Sequence, residues 1–263
     1  MFCGQQGPKN NIYHLSQFKF KGGKSTMNFL NTSHRYFIQY MLNHGTSTVE
    51  NAIKFSAKVT GGSVNDANSL KTLVTQINGV ISKQGFKMVF TTCEVTDQNL
   101  IIWLNTKNDH ITQLQNVFTL AQLEYFHAIL MEIINSVEYR ITYPECLNIT
   151  CSLKFPVTRD AGQEVFEEWI KGGYYVKQTN FVYLGPRLIQ EFSAYLKTCC
   201  PSNVCILCQE LVFFGKSCGS CRKMLHSYCL TKYFQTVRQC PGCQSNWIED
   251  NRNTNHAGSD SDD

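Results

Sequence analysis

The chain has 263 residues, 43% of them hydrophobic and 12% aromatic, and a formal net charge of +4. This length allows two or three small globular units, and the charge is too small to indicate a nucleic-acid or membrane partner. Residues 1–34 contain no apolar stretch of signal-peptide length, and no later segment approaches the roughly 18 apolar residues of a membrane span. We therefore expect a protein of the cytosol or nucleus with reduced thiols.

The two ends differ in composition from the rest of the chain. Residues 1–33 are polar, basic and contain several glycines, and residues 249–263 close in Gly258-Ser259-Asp260-Ser261-Asp262-Asp263. Segments that cannot bury enough apolar surface stay disordered. Both ends are predicted to be disordered.

A first winged-helix domain is predicted over residues 34–145. Its first helix ends at Gly45, its second covers about Val49–Val59, and its third has a periodic apolar face made by Leu70, Leu73, Val74, Ile77 and Ile81.

Two strands and a long helix complete this predicted domain. Strands near Phe86–Phe90 and Leu100–Leu104 form a hairpin. The pattern over Leu120–Glu138 then indicates a helix whose inward positions are Leu123, Phe126, Leu130, Ile133 and Val137.

A second winged-helix domain is predicted over residues 146–200. Asp160 and Gln163 have the spacing of a capping box before a helix that stops at Gly172. A hairpin of Tyr174–Gln178 and Phe181–Leu184 follows. Gly185-Pro186 then opens a helix with an apolar stripe made by Leu188, Ile189, Phe192, Tyr195 and Leu196.

The charge of this second domain argues against DNA binding. A winged helix that reads DNA places one helix in the major groove. The candidate helix carries Glu164, Glu167 and Glu168 against Lys171 alone, so it would repel phosphates. Packing against another protein is the favoured role.

Eight potential zinc ligands lie between residues 205 and 243. The spacing within nearly every pair is two residues, which lets a Cys-x-x-Cys turn deliver two thiolates to one tetrahedral metal. The ligands are Cys205, Cys208, Cys218, Cys221, His226, Cys229, Cys240 and Cys243.

Their order fits a cross-brace, in which alternate pairs share a metal. The first zinc would be held by Cys205, Cys208, His226 and Cys229, and the second by Cys218, Cys221, Cys240 and Cys243. Both sites would be full, which argues against zinc hydrolysis because a catalytic zinc keeps one position open for water. Cys199 and Cys200 are weaker rivals for a ligand position.

Two other interpretations of this segment, a disulfide framework and a nucleic-acid finger, fit the sequence less well. Dense cysteines in a short segment are often a disulfide framework, but that belongs to secreted proteins. A nucleic-acid finger should be strongly basic. Residues 205–247 carry a formal excess of four positive charges, which seven thiolates and two zinc ions reduce to about one.

The closing Cys240-Pro241-Gly242-Cys243 resembles the Cys-Pro-x-Cys end of a RING domain. Leu207 matches the aliphatic position with which RINGs contact a ubiquitin-conjugating enzyme. A PHD finger, the other family with this ligand order, carries tryptophan where Arg238 stands. Many active RINGs have a basic residue shortly after the last ligand, whereas this chain has Gln244. We therefore classify the segment as a variant RING.

Residues 34–247 together resemble the non-SMC element 1 family, subunits of a structural-maintenance-of-chromosomes complex that acts in DNA repair. The resemblance is carried by the ligand set and by these runs: His34-Arg35-Tyr36-Phe37, His44-Gly45, Leu184-Gly185-Pro186-Arg187, Cys229-Leu230-Thr231-Lys232-Tyr233-Phe234-Gln235 and Trp247. The implied fold class is α+β and multi-domain, with tandem winged helices before a two-zinc cross-brace variant RING at residues 201–248.

This resemblance implies a nuclear, chromosome-associated subunit with two Zn²⁺ that acts in DNA repair and recombination. It implies a MAGE-type partner bound through the winged helices and RING-dependent ubiquitin ligase activity with that partner. The conjugating enzyme would contact Leu207, Pro241, Tyr233 and Phe234. The alternative is a non-catalytic adaptor in which the zinc only braces the complex.

Overall fold

A computed structural model describes residues 30–106 and 118–248. The described residues fall into two units, 30–91 with 99–106 and 92–98 with 118–248. Within these ranges no helix is long and apolar enough to cross a membrane.

The first unit has the element order of a winged helix. It runs α1 (Thr32–His44), β1 (Thr46–Thr48), α2 (Val49–Val59), α3 (Ala67–Ile81), β2 (Phe86–Thr92) and β3 (Asn99–Asn105), with the sheet in the order β1-β3-β2. Side chains that accept amide hydrogens cap the three helices at Asn31, Thr48 and Asp66. The apolar faces of α1 and α3 meet in a core that includes Phe37, Met41, Leu70, Ile77, Met88 and Ile101.

The second unit repeats this order. It runs α4 (Leu120–Asn135), β4 (Arg140–Thr142), α5 (Tyr143–Asn148), α6 (Arg159–Lys171), β5 (Tyr175–Gln178) and β6 (Phe181–Leu184), with the sheet in the order β4-β6-β5. In both units a short strand after the first helix pairs antiparallel with the last strand of the hairpin. The predicted α+β class with two winged helices is confirmed.

Trp169 of α6 lies at the centre of the second core and is 1% exposed. It packs edge-on against Phe118 and Phe126, with ring centroids 5.8 and 5.1 Å away. Gly185 is required where the chain leaves β6, since a Cβ there would lie 2.3 Å from the carbonyl oxygen of Gly173. That close approach positions the two helices that follow, α7 (Pro186–Glu191) and α8 (Ser193–Cys199).

The helix α4 belongs to the second winged helix, whereas the predicted boundary after residue 145 leaves it in the first. Its apolar face, which includes Phe126, Ile129 and Ile133, lies in the same core as Trp169. The sequence pattern does not predict β4 or α5, which follow α4 in the repeat. A strand of three residues and a helix of six are too short to produce a periodic pattern.

Three local predictions were wrong. The cap of α6 is Thr158, which accepts from the amide of Ala161, and not the pair Asp160 and Gln163. Val137 is 91% exposed because α4 ends at Asn135 and Ser136 turns the chain into an extended conformation. The helix predicted after Gly185 is two helices, and the break at Phe192 leaves Tyr195 38% exposed.

The predicted disordered start of the chain extends too far. Leu30 is 8% exposed in the first core, and Asn31 caps α1. Residues 1–29 and the tail 249–263 lie outside the described residues.

The last part of the second unit, residues 201–248, is called the zinc module below. Its regular elements are short: β7 (Lys216–Ser217) pairs antiparallel with β8 (Met224–Leu225), and α9 (Ser227–Tyr233) follows. The side chains of two module residues, Leu211 and Phe213, are buried in the core of the second winged helix, where they are 3% and 5% exposed. Module and winged helix therefore share apolar contacts.

Candidate zinc centres

The structure brings the eight predicted ligands into two clusters. One contains Cys205, Cys208, His226 and Cys229, and the other contains Cys218, Cys221, Cys240 and Cys243. In each cluster the ligand atoms lie within 4.8 Å of one another. The grouping is the interleaved one that the cross-brace requires. Cys199 and Cys200 belong to neither cluster.

Three turns that carry the ligands share one backbone geometry. In each Cys-x-x-Cys turn the residue after the second cysteine donates its amide hydrogen to the carbonyl oxygen of the first cysteine, at 2.7–2.9 Å. These residues are Gln209, Arg222 and Gln244, with φ of 63°, 57° and 59°. Side chains other than glycine are uncommon in this left-handed region. Gln and Arg have no preference for positive φ, so the residue types at these positions do not predict this turn geometry.

In the first cluster, one ring nitrogen of His226 faces the cysteines and the other contacts the backbone. Its Nδ1 lies 3.3 Å from the sulfur of Cys208 and 3.8 Å from that of Cys229, while its Nε2 lies 2.9 Å from the carbonyl oxygen of Leu211. Nε2 therefore carries the hydrogen, and the lone pair of Nδ1 faces the cysteines. His226 also precedes α9, whose first turn brings Cys229 to the same side.

The second cluster is closed by the turn of Cys240 and Cys243. The sulfur of Cys243 lies 3.9 Å from that of Cys218, and the sulfurs of Cys221 and Cys240 are 3.6 Å apart. The hydroxyl of Ser245 lies 3.0 Å from the sulfur of Cys243. That hydrogen bond and a second one from the backbone amide of Ser245 lower the pKa of Cys243 to about 6.

The spacing of both clusters fits zinc. Two sulfurs bound to one tetrahedral zinc stand about 3.8 Å apart, and a sulfur and an imidazole nitrogen about 3.6 Å, given the usual bond lengths. The distances in the clusters lie close to these values. Four ligands fill each site, so the ions would be structural and leave no position for water.

The pKa values of the cysteines in the first cluster also indicate a site for a cation. Although burial opposes ionisation, the neighbouring His226 side chain and hydrogen bonds from backbone amides lower the pKa of Cys205 to about 6. Burial, together with the charges of Cys205 and Cys208, raises the pKa of Cys229 well above its ordinary value. Several thiolates are stable so close together only when a cation offsets their repulsion. The donor set therefore fits Zn²⁺ at both sites.

The four predicted contacts for a conjugating enzyme are all partly exposed. Leu207 and Phe234 pack against the small core of the module, and Phe234 meets Trp247 edge-on at 5.5 Å. Pro241 and Tyr233 have intermediate exposure. No contact of these four with an enzyme is part of the structure, so their role stays a prediction.

The first and last Cys-x-x-Cys turns lie close to each other at Gly242. A Cβ at Gly242 would lie 3.1 Å from Cδ1 of Ile206 and 2.9 Å from Cδ of Lys223. Pro241 and Leu207 are the chain neighbours of Gly242 and Ile206. The two predicted contact positions are therefore carried by turns that lie against each other.

Two winged helices followed by a cross-braced pair of four-ligand clusters define a class of proteins with a C-terminal RING-like domain. A family model described as "Nse1 non-SMC component of SMC5-6 complex" matches residues 34–180, and one described as "RING-like domain" matches residues 205–243. The chain belongs to this Nse1 family of non-SMC components.

Relatives and a solved structure agree with this assignment. A Drosophila melanogaster protein named "Non-structural maintenance of chromosomes element 1 homolog" is 30% identical over 68% of this chain and 78% of its own length. The Homo sapiens protein of that name is 23% identical over 86% of this chain and 88% of its own length. A chain of an "Nse1-Nse3-Nse4 complex" superposes with a TM-score of 0.69 at 20% identity, covering 83% of this chain and 97% of that one. This last likeness shows the fold.

Proposed function

We propose that the protein is a RING-type ubiquitin ligase subunit of a structural-maintenance-of-chromosomes complex that acts in DNA repair and recombination in the nucleus. The observation that carries the proposal is the cross-braced pair of full zinc sites, with Leu207 and Pro241 on adjoining turns. Family membership supports the assignment to the complex.

The zinc module would act by positioning and not by covalent chemistry. Bound zinc supplies structure, since neither site leaves a position for a reactant. Leu207, Pro241, Tyr233 and Phe234 would bind the conjugating enzyme that carries ubiquitin as a thioester. Holding that thioester in one reactive conformation lowers the barrier to attack by a substrate lysine.

A MAGE-type subunit is the proposed partner of the winged helices. The helix α6 is acidic, which disfavours phosphate contacts and leaves protein packing as its role. The structural likeness to a chain from an Nse1-Nse3-Nse4 complex supports partners of the non-SMC class. Such a partner could supply the basic group that Gln244 lacks.

The proposal is tested by ubiquitination in vitro with the zinc-loaded chain and its MAGE-type partner. Leu207→Ala should lower chain formation by about tenfold, the effect of losing one anchor of an interface. The control is Val237→Ala, another aliphatic residue of the module, 40% exposed and outside the predicted contacts. Equal loss in both variants, or none in Leu207→Ala, would refute the proposed contact.

A second prediction concerns Gln244. It is exposed and directly follows the last ligand, at φ 59°. Gln244→Arg should raise the rate of chain formation several-fold, because a guanidinium there can hold ubiquitin against the conjugating enzyme. Gln209→Arg is the matched control, since Gln209 is also exposed and has the same backbone conformation at the first zinc site. An equal gain from both substitutions would contradict the position-specific role.

The alternative function is a non-catalytic adaptor. One observation that favours it is the burial of the Leu211 and Phe213 side chains in the winged-helix core, which fits a bracing role for the module. Another is Gln244, which stands where many active RINGs have a basic residue. An adaptor would assemble with its partner, hold both zinc ions and form no ubiquitin chains with any conjugating enzyme in a panel. The same ubiquitination assay therefore separates the two functions.

A further inference from the structure

Glu94 lies far from the zinc ligands in sequence but contacts one of them in the structure. It lies in the connection between β2 and β3, within residues 92–98 of the second unit. Its Oε1 lies 3.2 Å from Nε2 of His226, and its side chain is only 8% exposed. A buried carboxylate is stable only when it is paired or hydrogen-bonded.

The other oxygen of this carboxylate holds the chain between the first and second ligand pairs. Oε2 accepts hydrogen bonds from the amides of Phe213 at 2.9 Å and Phe214 at 2.6 Å. Phe213 lies 119 positions after Glu94. Glu94 itself sits in a closed turn, in which the amide of Cys93 donates to Gln98 and that of Asp97 to Cys93. The position of the carboxylate is thus fixed by the turn that holds its own backbone and by the contacts of its two oxygens.

We propose that Glu94 is a positioning residue of the first zinc site, holding the His226 imidazole through Nε2 so that Nδ1 faces the metal. The hydrogen on Nε2 is shared between Glu94 and the carbonyl oxygen of Leu211. Outer partners of this kind fix the tautomer and ring orientation of a ligating histidine, and losing one typically costs about 10–100-fold in metal affinity. The first zinc site is therefore completed by a residue outside the zinc module, whether or not the module is a ligase.

The substitution Glu94→Gln separates the two roles of the carboxylate. The amide oxygen can keep the bonds from Phe213 and Phe214, which places the NH₂ group opposite Nε2–H of His226, a donor facing a donor. The reverse orientation would set the NH₂ group against two backbone amides. The variant therefore keeps the backbone contacts and loses the contact to His226.

Glu124 provides the matched control. Its two oxygens accept from the amides of Lys154 and Phe155, at 3.0 and 3.1 Å, so it also clamps two consecutive amides in the second unit. Glu124 belongs to neither ligand cluster. Glu124→Ala removes a comparable backbone clamp without touching the zinc sites.

The experiment measures zinc release from the full-length protein to a chromogenic chelator. Cadmium-113 NMR of the cadmium-substituted protein identifies the site that loses metal, since three sulfurs with one nitrogen and four sulfurs give separate resonances. Glu94→Gln should release metal from the Cys205–His226 site about tenfold faster than wild type, and Glu94→Ala faster still. The four-cysteine site should initially release metal at the wild-type rate, and faster only after the Cys205–His226 site has lost its metal.

Two results would overturn the proposal. One is release from the Cys205–His226 site at the wild-type rate in Glu94→Gln. The other is a loss in Glu124→Ala equal to that in the Glu94 variants, which would assign the effect to general destabilisation. If Glu94→Ala does not fold, Glu94→Gln and Glu124→Ala carry the test.

Discussion

Replacing Cys205 by serine should release both zinc ions and unfold the zinc module. Cys205 is fully buried, and the buried core it joins is otherwise made by Val212, Leu225 and Leu230. Structural zinc contributes on the order of 10–16 kcal/mol in small finger peptides, more than this core can replace. Because the two sites share the same short chain in alternating order, the second site should fail with the first.

The zinc content per chain and the proteolysis pattern of residues 201–248 measure this effect. Wild type should bind two zinc ions per chain and Cys205→Ser none. The control is Cys199→Ser, an exposed cysteine outside both clusters, which should bind two. A Cys205→Ser protein that keeps two zinc ions would contradict the ligand assignment.

Replacing Phe213 by alanine should destabilise the whole second unit. Phe213 is 5% exposed and meets Tyr139 edge-on, with ring centroids 5.4 Å apart. Truncating a buried phenylalanine typically costs about 3–5 kcal/mol, because of lost burial and the cavity left behind. The free energy of unfolding in urea should fall by that amount.

The neighbouring Phe214 is the matched control for this second prediction. It is 39% exposed and contacts Tyr183 edge-on at 5.1 Å. Phe214→Ala should cost less than about half as much, since a partly exposed ring loses less burial. Equal costs at the two positions, or a loss in Phe213→Ala confined to the zinc module, would show that the module does not share the winged-helix core.

The zinc clusters could be predicted from sequence because their chemistry is local. Thiolates and an imidazole at fixed short spacings identify the metal and the pairing without any knowledge of the fold. The turn geometry at Gln209, Arg222 and Gln244 could not be predicted, since these residues carry no preference for positive φ. Glu94 could not be predicted either, because its partner lies more than a hundred positions away.

The sequence pattern indicates both winged helices but places the boundary between them too late in the chain. A long amphipathic helix such as α3 has clear periodicity, and its buried face lies where the pattern indicates. The strand β4 has three residues, and its pairing with β6 is set by tertiary contacts. Without β4 in the pattern, the sequence groups α4 with the preceding hairpin and not with the repeat that α4 opens.

The central claim is that the zinc module positions a conjugating enzyme for ubiquitin transfer. The most direct test is single-turnover discharge of a preformed ubiquitin thioester to free lysine, with the zinc-loaded chain bound to its MAGE-type partner. We predict discharge faster than from the conjugating enzyme alone, and a return to the basal rate with Leu207→Ala. An unchanged thioester lifetime across a panel of conjugating enzymes, in a complex that holds two zinc ions per chain, would contradict the account.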